Sequence, residues 1–391
     1  MKKIWVLMAT AFVDMLGFAV IFPLLPFYAQ DLGASPVTIG WLISSFSIAQ
    51  LTTAPLWGRL SDRWGRRPVL LIGLIAAGIA YIVFGLANSV WLLMLSRLVQ
   101  GAGGGTTGVI QAYVADALPK HERAKGLGWI SSATSAGVML GSALGSLATH
   151  FGRAMPGFVA AALCFLNILF AWRFLPESRP DVGKPKRSIR SALWHVLEHP
   201  FEPQPRLIWI YAVGMCAFTA MSAVLALYLE YRFGVTKQTI GYVFVYVPAV
   251  AVVMRAIVLG KLLDRFGETR VMRLGAVIFA LGLMLYPLPN SIVLMAFVIA
   301  LVPIGQALLF PSVTALSSHR SDPAEQGQMM GVQQAFGGMA RVIGPLWSTF
   351  AFQALGPSWP YMLAALIMLL VTAMALQVPV VAQSAEPVPG D

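Results

Sequence analysis

The sequence predicts an all-α membrane protein: twelve transmembrane helices in two pseudo-symmetric six-helix bundles around a central cavity. Three observations predict it. The chain of 391 residues is 58% apolar and only 11% charged, where a soluble domain carries about 25% charge. It holds twelve apolar runs of the length, roughly 20 residues, that a hydrocarbon core requires. One phrase, Gly58-Arg59-Leu60-Ser61-Asp62-Arg63-Trp64-Gly65, returns 202 positions later as Gly260-Lys261-Leu262-Leu263-Asp264-Arg265-Phe266-Gly267, each copy joining two apolar runs. A duplicated membrane bundle with matching hinges is the build of secondary transporters.

The runs fall near 4–27, 37–57, 69–88, 90–115, 125–149 and 156–175, which make an N-terminal bundle over 1–175. The second set falls near 207–230, 239–260, 271–288, 291–316, 327–352 and 358–381, a C-terminal bundle over 207–381. The first run follows Lys2 and Lys3, as a signal peptide would. It is too long for a signal core, holds Asp14 and ends in prolines without a small-residue cleavage site, so it reads as a retained helix. Residues 176–206 are polar and basic and read as a linker. Within it, Ser188–His199 fits an amphipathic helix with Leu193, Trp194 and Leu197 toward lipid, or a plain tether. The tail 382–391 is polar and expected to be disordered. Glu122, Gly128 and Gly141 recur as Glu325, Gly331 and Gly344, so the fifth and eleventh helices are equivalent elements.

Net charge is +11, which elsewhere suggests nucleic acid. Placement excludes that partner. Lys and Arg crowd one side of the twelve-helix thread, and the other side receives Arg153, Arg232 and Lys237. The positive-inside rule then places both termini in the cytoplasm. Cys164 and Cys216 lie inside apolar runs and read as small hydrophobes. The five histidines fall in loops or at helix ends. No nucleophile triad, nucleotide loop or metal spacing lies on the membrane helices, so the expectation is no enzyme, no catalytic residue, no cofactor and no metal. An ion gradient is the remaining energy source, worth about 2.3 kcal/mol per charge per 100 mV.

The repeated hinge pairs Gly58, Asp62, Arg63, Gly65 and Arg66 with Gly260, Asp264, Arg265 and Gly267. Gly65 and Gly267 can supply a left-handed turn. Asp62 and Asp264 can cap a neighbouring helix N-terminus and pair with an arginine. Such a clasp would hold the halves together on the cytoplasmic side. The plainer reading is a solvated turn whose arginines only set topology. Asp14 is the one acid well inside a helix, about 15 Å from its start at 1.5 Å per residue. Ionisable groups at that depth are costly and face the bundle interior. Arg97 is its natural partner. A proton arriving at Asp14 would release Arg97; a permanent structural ion pair is the alternative. Arg255 and Arg341 are further buried cations, Arg255 close enough to the helix end to snorkel and Arg341 deeper. Gly137, Gly141 and Gly145, with Gly344 and Pro345 in the eleventh helix, are helix-packing candidates. Gly101–Gly105 has the look of a phosphate loop, but no Lys-Ser/Thr follows and the segment sits in lipid.

These residues resemble the major facilitator superfamily, specifically its twelve-helix drug:proton antiporter branch (tetracycline and multidrug efflux), over the whole chain. Gly58 to Arg67 matches the family's signature between the second and third helices. Leu16-Gly17, five residues and Pro23-Leu24-Leu25-Pro26 match the first-helix signature. Arg97-Leu98-Val99-Gln100-Gly101-Ala102-Gly103 matches that of the fourth. One departure stands out. The fifth-helix signature ends Gly-Pro-x-x-Gly-Gly, and this chain reads Gly141-Ser142-Ala143-Leu144-Gly145-Ser146, without the proline and the final glycine.

The resemblance implies that helices one, four, seven and ten line the cavity. Candidates are Phe18, Phe22, Gln100, Gln111, Tyr113, Tyr211, Met215, Phe218, Tyr228, Pro303, Gln306 and Arg341, for each of which ordinary helix packing is the alternative. Glu230 is expected at the outer mouth, solvated. The resemblance further implies that Arg97 takes part in proton coupling. The expectation is a monomeric, proton-coupled exporter of small amphipathic compounds in the bacterial inner membrane, its partners a small-molecule substrate, protons and the bilayer. A proton-coupled metabolite importer is the rival, favoured by the altered fifth-helix signature and by Arg341. A scaffold or polytopic enzyme is the weaker third.

Overall fold

The computed structural model describes residues 2–104, 106–118, 122–178, 189–320 and 326–379. The tail 382–391 and Ser188 lie outside them. Among the described residues every regular element is helical. The elements are α1 (Lys2–Ile21), α2 (Leu25–Asp31), α3 (Pro36–Trp64), α4 (Arg66–Leu86), α5 (Val90–Gly103), α6 (Thr106–Ala117), α7 (Arg123–Ala148), α8 (Met155–Phe174), α9 (Ile189–Glu198), α10 (Pro203–Phe233), α11 (Ile240–Val253), α12 (Gly260–Leu285), α13 (Ile292–His319), α14 (Gln326–Leu355) and α15 (Trp359–Leu376). Each of the twelve apolar runs is helical over most of its described residues.

Two runs are broken. The first divides into α1 and α2 at Phe22–Leu24. Pro23 has no N–H, and its ring clashes with the carbonyl four residues back; Pro26 then occupies the first turn of α2, where a missing N–H costs nothing. The fourth run breaks at Gly104, between α5 and α6. The carbonyls released there are taken by α3: Gln50 donates to the Gly104 oxygen at 2.9 Å, and Thr53 and Trp57 donate to that of Ala102.

The two hinge phrases are helix ends more than loops. Gly58–Trp64 forms the last turns of α3, and Gly260–Phe266 the first turns of α12. Only the closing glycines leave helical geometry, at φ 99°, ψ 163° for Gly65 and φ 75°, ψ 161° for Gly267. That region is not the left-handed turn expected from the sequence. It is an extended conformation with positive φ that only glycine reaches without strain.

The chain packs as two compact units: 1–187 with 218–249 and 338–360, and 188–217 with 250–337 and 361–391. In the first unit α1 packs on α7 and α8, α4 on α5 and α8, and α3 on α5. The α1–α7 contact is made by the glycine ladder. A Cβ at Gly137, Gly141 or Gly145 would lie 2.3, 2.3 or 2.2 Å from the carbonyl oxygens of Phe12, Leu16 and Val20. Hydrogens alone allow the backbones this close.

In the second unit α12 packs on α13, with Gly275 and Gly305 at the crossing. Tyr286 stacks on Tyr361, ring centroids 4.4 Å apart. The linker contains a helix, α9, and its apolar face is turned into protein. Val196 is fully buried with Ile208, Ala212, Val332 and Phe336, and Leu193 packs on that cluster. Leu193 therefore does not face lipid, while Trp194 and Leu197 stay exposed.

Candidate functional site

The first unit holds an aromatic box with one cation. Phe18 and Phe22 stand one turn apart on α1 and stack at 5.3 Å. Phe46 of α3 tilts against Phe18 at 5.5 Å, and Phe244 of α11 meets Phe22 edge-on at 6.1 Å. Arg97, 1% exposed, lies over the Phe46 ring at 4.6 Å and the Phe18 ring at 5.8 Å. A charge at mid-helix costs about 2.5–3.5 kcal/mol on insertion scales. Two aromatic faces in a desolvated setting return about 2 kcal/mol or more.

Arg97 does not pair directly with Asp14. Its Nη1 donates to Gln100 Oε1, and its Nε has no partner. Gln100 Nε2 donates in turn to the Tyr81 hydroxyl at 3.0 Å. Tyr81, on α4, packs against Gly17, so that a Cβ there would lie 3.5 Å from its oxygen. Asp14 is one turn before Gly17 on α1. Among the described residues its carboxylate makes no hydrogen bond or ion pair. Arg97, Gln100 and Tyr81 thus form a hydrogen-bonded row, and Asp14 stands on α1 one turn before Gly17, which Tyr81 covers. Nearby, Asn167 Nδ2 donates to the Thr10 carbonyl at 3.0 Å and leaves its Oδ1 unpartnered.

The other cavity candidates are dispersed. Tyr113 donates to the Pro176 carbonyl at 2.8 Å, at the linker end of α6. Tyr211 meets Phe310 edge-on at 5.3 Å in the second unit, and Tyr228 and Pro303 are buried. Met215, Phe218, Gln306 and Arg341 are half-buried. Among the described residues Arg341 makes no hydrogen bond or ion pair. The Gln111 side chain lies outside what is described. Arg255 is exposed on a π-helical turn at Met254–Leu259. Glu230 is half-buried and bonded to Gln30 rather than free in solvent.

The first hinge is a tight ionic knot. Arg66 donates to Asp62 at 2.6 Å, to Ser61 Oγ at 2.7 Å and to Asp116 at 3.0 Å. The free N–H groups of the α4 N-terminus are capped by Glu177, whose Oε1 lies 2.7 Å from the Arg66 nitrogen and 3.2 Å from that of Arg67. Glu177 therefore does the capping expected of Asp62, and the knot ties the first unit to itself. Arg63 is exposed. The second hinge is looser: Asp264 is exposed and has no ion pair among the described residues, and Arg265 rests on its neighbour Phe266. A Cβ at Gly58 or Gly260 would meet nothing within 4 Å. Asp116, Glu177, Tyr81, Phe46 and Phe244 were not singled out by the sequence.

Comparison with known proteins gives the family. The family model of the Major Facilitator Superfamily matches residues 7–262 and 207–389. The chain belongs to the Major Facilitator Superfamily. It is 27% identical over 374 residues to multidrug resistance protein 2 of Bacillus subtilis, covering 93% of this chain and 92% of that one. It is 27% identical over 354 residues to the class B tetracycline resistance protein of Escherichia coli, covering 88% and 87%. Its fold is similar to that of a bacterial homologue of the human lysosomal transporter Spinster, with TM-score 0.81 at 15% identity over 96% of each chain. This major facilitator protein is a multi-pass membrane transporter of a small-molecule substrate, and not an enzyme.

The first unit of this transporter holds two matching seams. Between α3 and α14, a Cβ at Gly40 would lie 2.0 Å from Thr349 Oγ1 and 2.9 Å from the Pro345 oxygen. Ser44 donates to the Val342 carbonyl at 2.8 Å in the same seam. Between α7 and α11, a Cβ at Gly241 would lie 2.5 Å from Ser146 Oγ. Ser146 and Thr349 are 203 positions apart, the spacing that relates Gly141 to Gly344. Buried Pro345 thus belongs to a seam between helices, and Gly344 is its buried neighbour in the chain. In the same unit Lys237 donates to Asp31 at 2.7 Å.

Proposed function

We propose that this transporter is a proton-driven exporter of small amphipathic compounds in the bacterial inner membrane, working as a monomer by alternating access, with both termini in the cytoplasm and no cofactor. The carrying observation is the hydrogen-bonded row from Tyr81 through Gln100 to Arg97, which ends on the aromatic box, with Asp14 one turn from Gly17, the residue that Tyr81 covers. A proton taken up at Asp14 changes what the Tyr81 hydroxyl faces. Tyr81 and Gln100 then pass the change to Arg97, which sits on Phe18 and Phe46. A substrate entering the box would compete for the same aromatic faces. Aromatic walls with few polar groups suit a large, mostly apolar ligand. The relatives' names, multidrug and tetracycline resistance, fit that chemistry.

With both termini inside, the two seams and the Asp31–Lys237 pair belong to the outer half of the first unit, where they would act as a gate. Lys and Arg excess on the linker side supports this orientation. The test is a compound panel against a strain stripped of its own exporters, with and without a protonophore. Protonophore-sensitive protection by the wild type, lost in Asp14→Asn at equal membrane abundance, is the expected result. Protection that persists in Asp14→Asn would remove Asp14 from the coupling.

A metabolite importer is the second reading, favoured by Ser142 and Ser146 in place of the antiporter proline and glycine. Proton flux on substrate addition to proteoliposomes separates the two: counterflow for export, co-flow for import.

A further inference from the structure

The transport reading leaves unused a cluster on the linker side of the second unit. His195 and His199 lie one turn apart near the end of α9, where residues four apart are neighbours. The chain then turns back. The Glu202 N–H bonds to the His199 carbonyl at 3.2 Å, which returns the Glu202 side chain to the face of the two imidazoles. His195 Nε2 lies 3.2 Å from Glu202 Oε2. The two rings are 4.9 Å apart and tilted by 35°. One ligand atom from each of the three residues falls within 4.8 Å of the others.

We propose that His195, His199 and Glu202 form a binding site for a divalent transition metal of the zinc class. Two imidazoles and a carboxylate suit zinc, copper or nickel and do not suit magnesium or calcium, which take oxygen ligands. A tetrahedral ion with ligands at about 2.0–2.1 Å separates adjacent ligand atoms by about 3.3 Å. His195 and Glu202 already stand at that spacing. The His199 ring is exposed and reaches the ion by side-chain rotation. The backbone carrying the ligands is firmly held: Val196 is fully buried, and Trp209 Nε1 donates to its carbonyl at 3.1 Å. The nearby cation Arg206 is engaged with the carbonyls of Phe201 and Gln377. All three ligands are exposed, so a fourth position stays open to water and the ion is exchangeable. An ion bound there ties the linker helix α9 to the root of α10.

The test uses full-length protein without a polyhistidine tag, titrated with Co²⁺ as a visible probe and then with Zn²⁺. The wild type should develop the intense absorption of four-coordinate cobalt at one equivalent, and Zn²⁺ should erase it. The double variant His195→Ala/His199→Ala should lose that equivalent. Glu202→Gln, which leaves the helix untouched, should weaken it at least tenfold. Zn²⁺ should also slow proteolysis of the linker in the wild type and not in either variant. Unchanged stoichiometry in the double variant, or a weak six-coordinate spectrum displaced by Mg²⁺, would overturn the assignment and leave an ordinary His195–Glu202 ion pair. These readouts do not involve transport, so the site stands or falls separately from the exporter reading.

Discussion

Gly241 donates its backbone N–H to the hydroxyl of Ser146 at 2.8 Å, joining α11 to α7. Ser146 stands where the antiporter signature of the fifth helix ends in glycine. The departure therefore has a structural use: the serine supplies an acceptor for a main-chain N–H. Its counterpart is Thr349 over Gly40, and there the hydroxyl turns back to the Pro345 carbonyl at 2.7 Å. Both seams put a small hydroxyl residue against a glycine on the same side of the membrane.

Closure of these seams should fail when either glycine gains a methyl group. Alanine at position 40 or 241 meets Thr349 Oγ1 at 2.0 Å or Ser146 Oγ at 2.5 Å, distances that real Cβ atoms do not show. Gly40→Ala and Gly241→Ala should hold the far side open, with longer spin-label distances between α3 and α14 or between α7 and α11, and transport reduced tenfold or more. Ser146→Ala removes one hydrogen bond of about 0.5–1.5 kcal/mol, so it should shift the population between states only twofold to tenfold. Unaltered distances in Gly40→Ala would show that the seam is not a gate.

The two hinges should differ in stability although their phrases match. Arg66 is 6% exposed and serves Asp62, Asp116 and Ser61 together. Lysine has no planar fork to serve three acceptors. Arg66→Lys should therefore lower the melting temperature clearly. Glu177→Gln loses a charge-assisted cap at a helix N-terminus, worth about 0.3–1 kcal/mol, and should have a smaller effect. Asp264→Asn should be close to neutral. A loss in Asp264→Asn as large as in Arg66→Lys would mean that the second hinge has partners in a state other than this one.

Coupling of Asp14 to Arg97 through Tyr81 and Gln100 is a sharper claim than direct pairing would be. Tyr81→Phe removes the acceptor of Gln100 Nε2 and leaves a buried amide donor unsatisfied, at about 1–3 kcal/mol. Proton-coupled flux should fall roughly tenfold or more in Tyr81→Phe, while binding of substrate at equilibrium changes little. Asp14→Asn should abolish coupling outright. If Tyr81→Phe couples normally, Asp14 reaches Arg97 by another route.

The membrane fold was legible because hydropathy and span length are properties of a single segment. The glycine ladder Gly137, Gly141 and Gly145 was legible for a related reason: its spacing alone puts three small residues on one helix face. The breaks at Phe22–Leu24 and Gly104 were only half visible. Pro23 and the glycine run announce weakness, yet whether a helix breaks there depends on who takes the released carbonyls, here Gln50, Thr53 and Trp57 of another helix. Phe46 and Phe244 were missed because they come from the second and eighth helices, outside the set the resemblance names. Asp116 and Glu177 look like solvated charges at helix ends. Their roles follow only from the approach of α6 and the start of the linker to the tip of α4.

Phe46 and Phe244 offer a way to separate the box's two duties. Phe46 carries the Arg97 guanidinium at 4.6 Å, while Phe244 meets Phe22 edge-on and among the described residues has no cation over its ring. Leucine at either position keeps an apolar side chain and removes the π face. Phe46→Leu deprives Arg97 of an attraction of about 2 kcal/mol, so Arg97 should be looser without substrate, and proton leak should rise with KM little changed. Phe244→Leu leaves Arg97 in place and alters only a wall that a ligand would meet, so KM should rise for flat aromatic compounds and leak should stay at the wild-type level. Measuring both quantities in both variants decides the matter. Equal changes in leak and KM would mean that cation and substrate do not occupy distinct faces of the box.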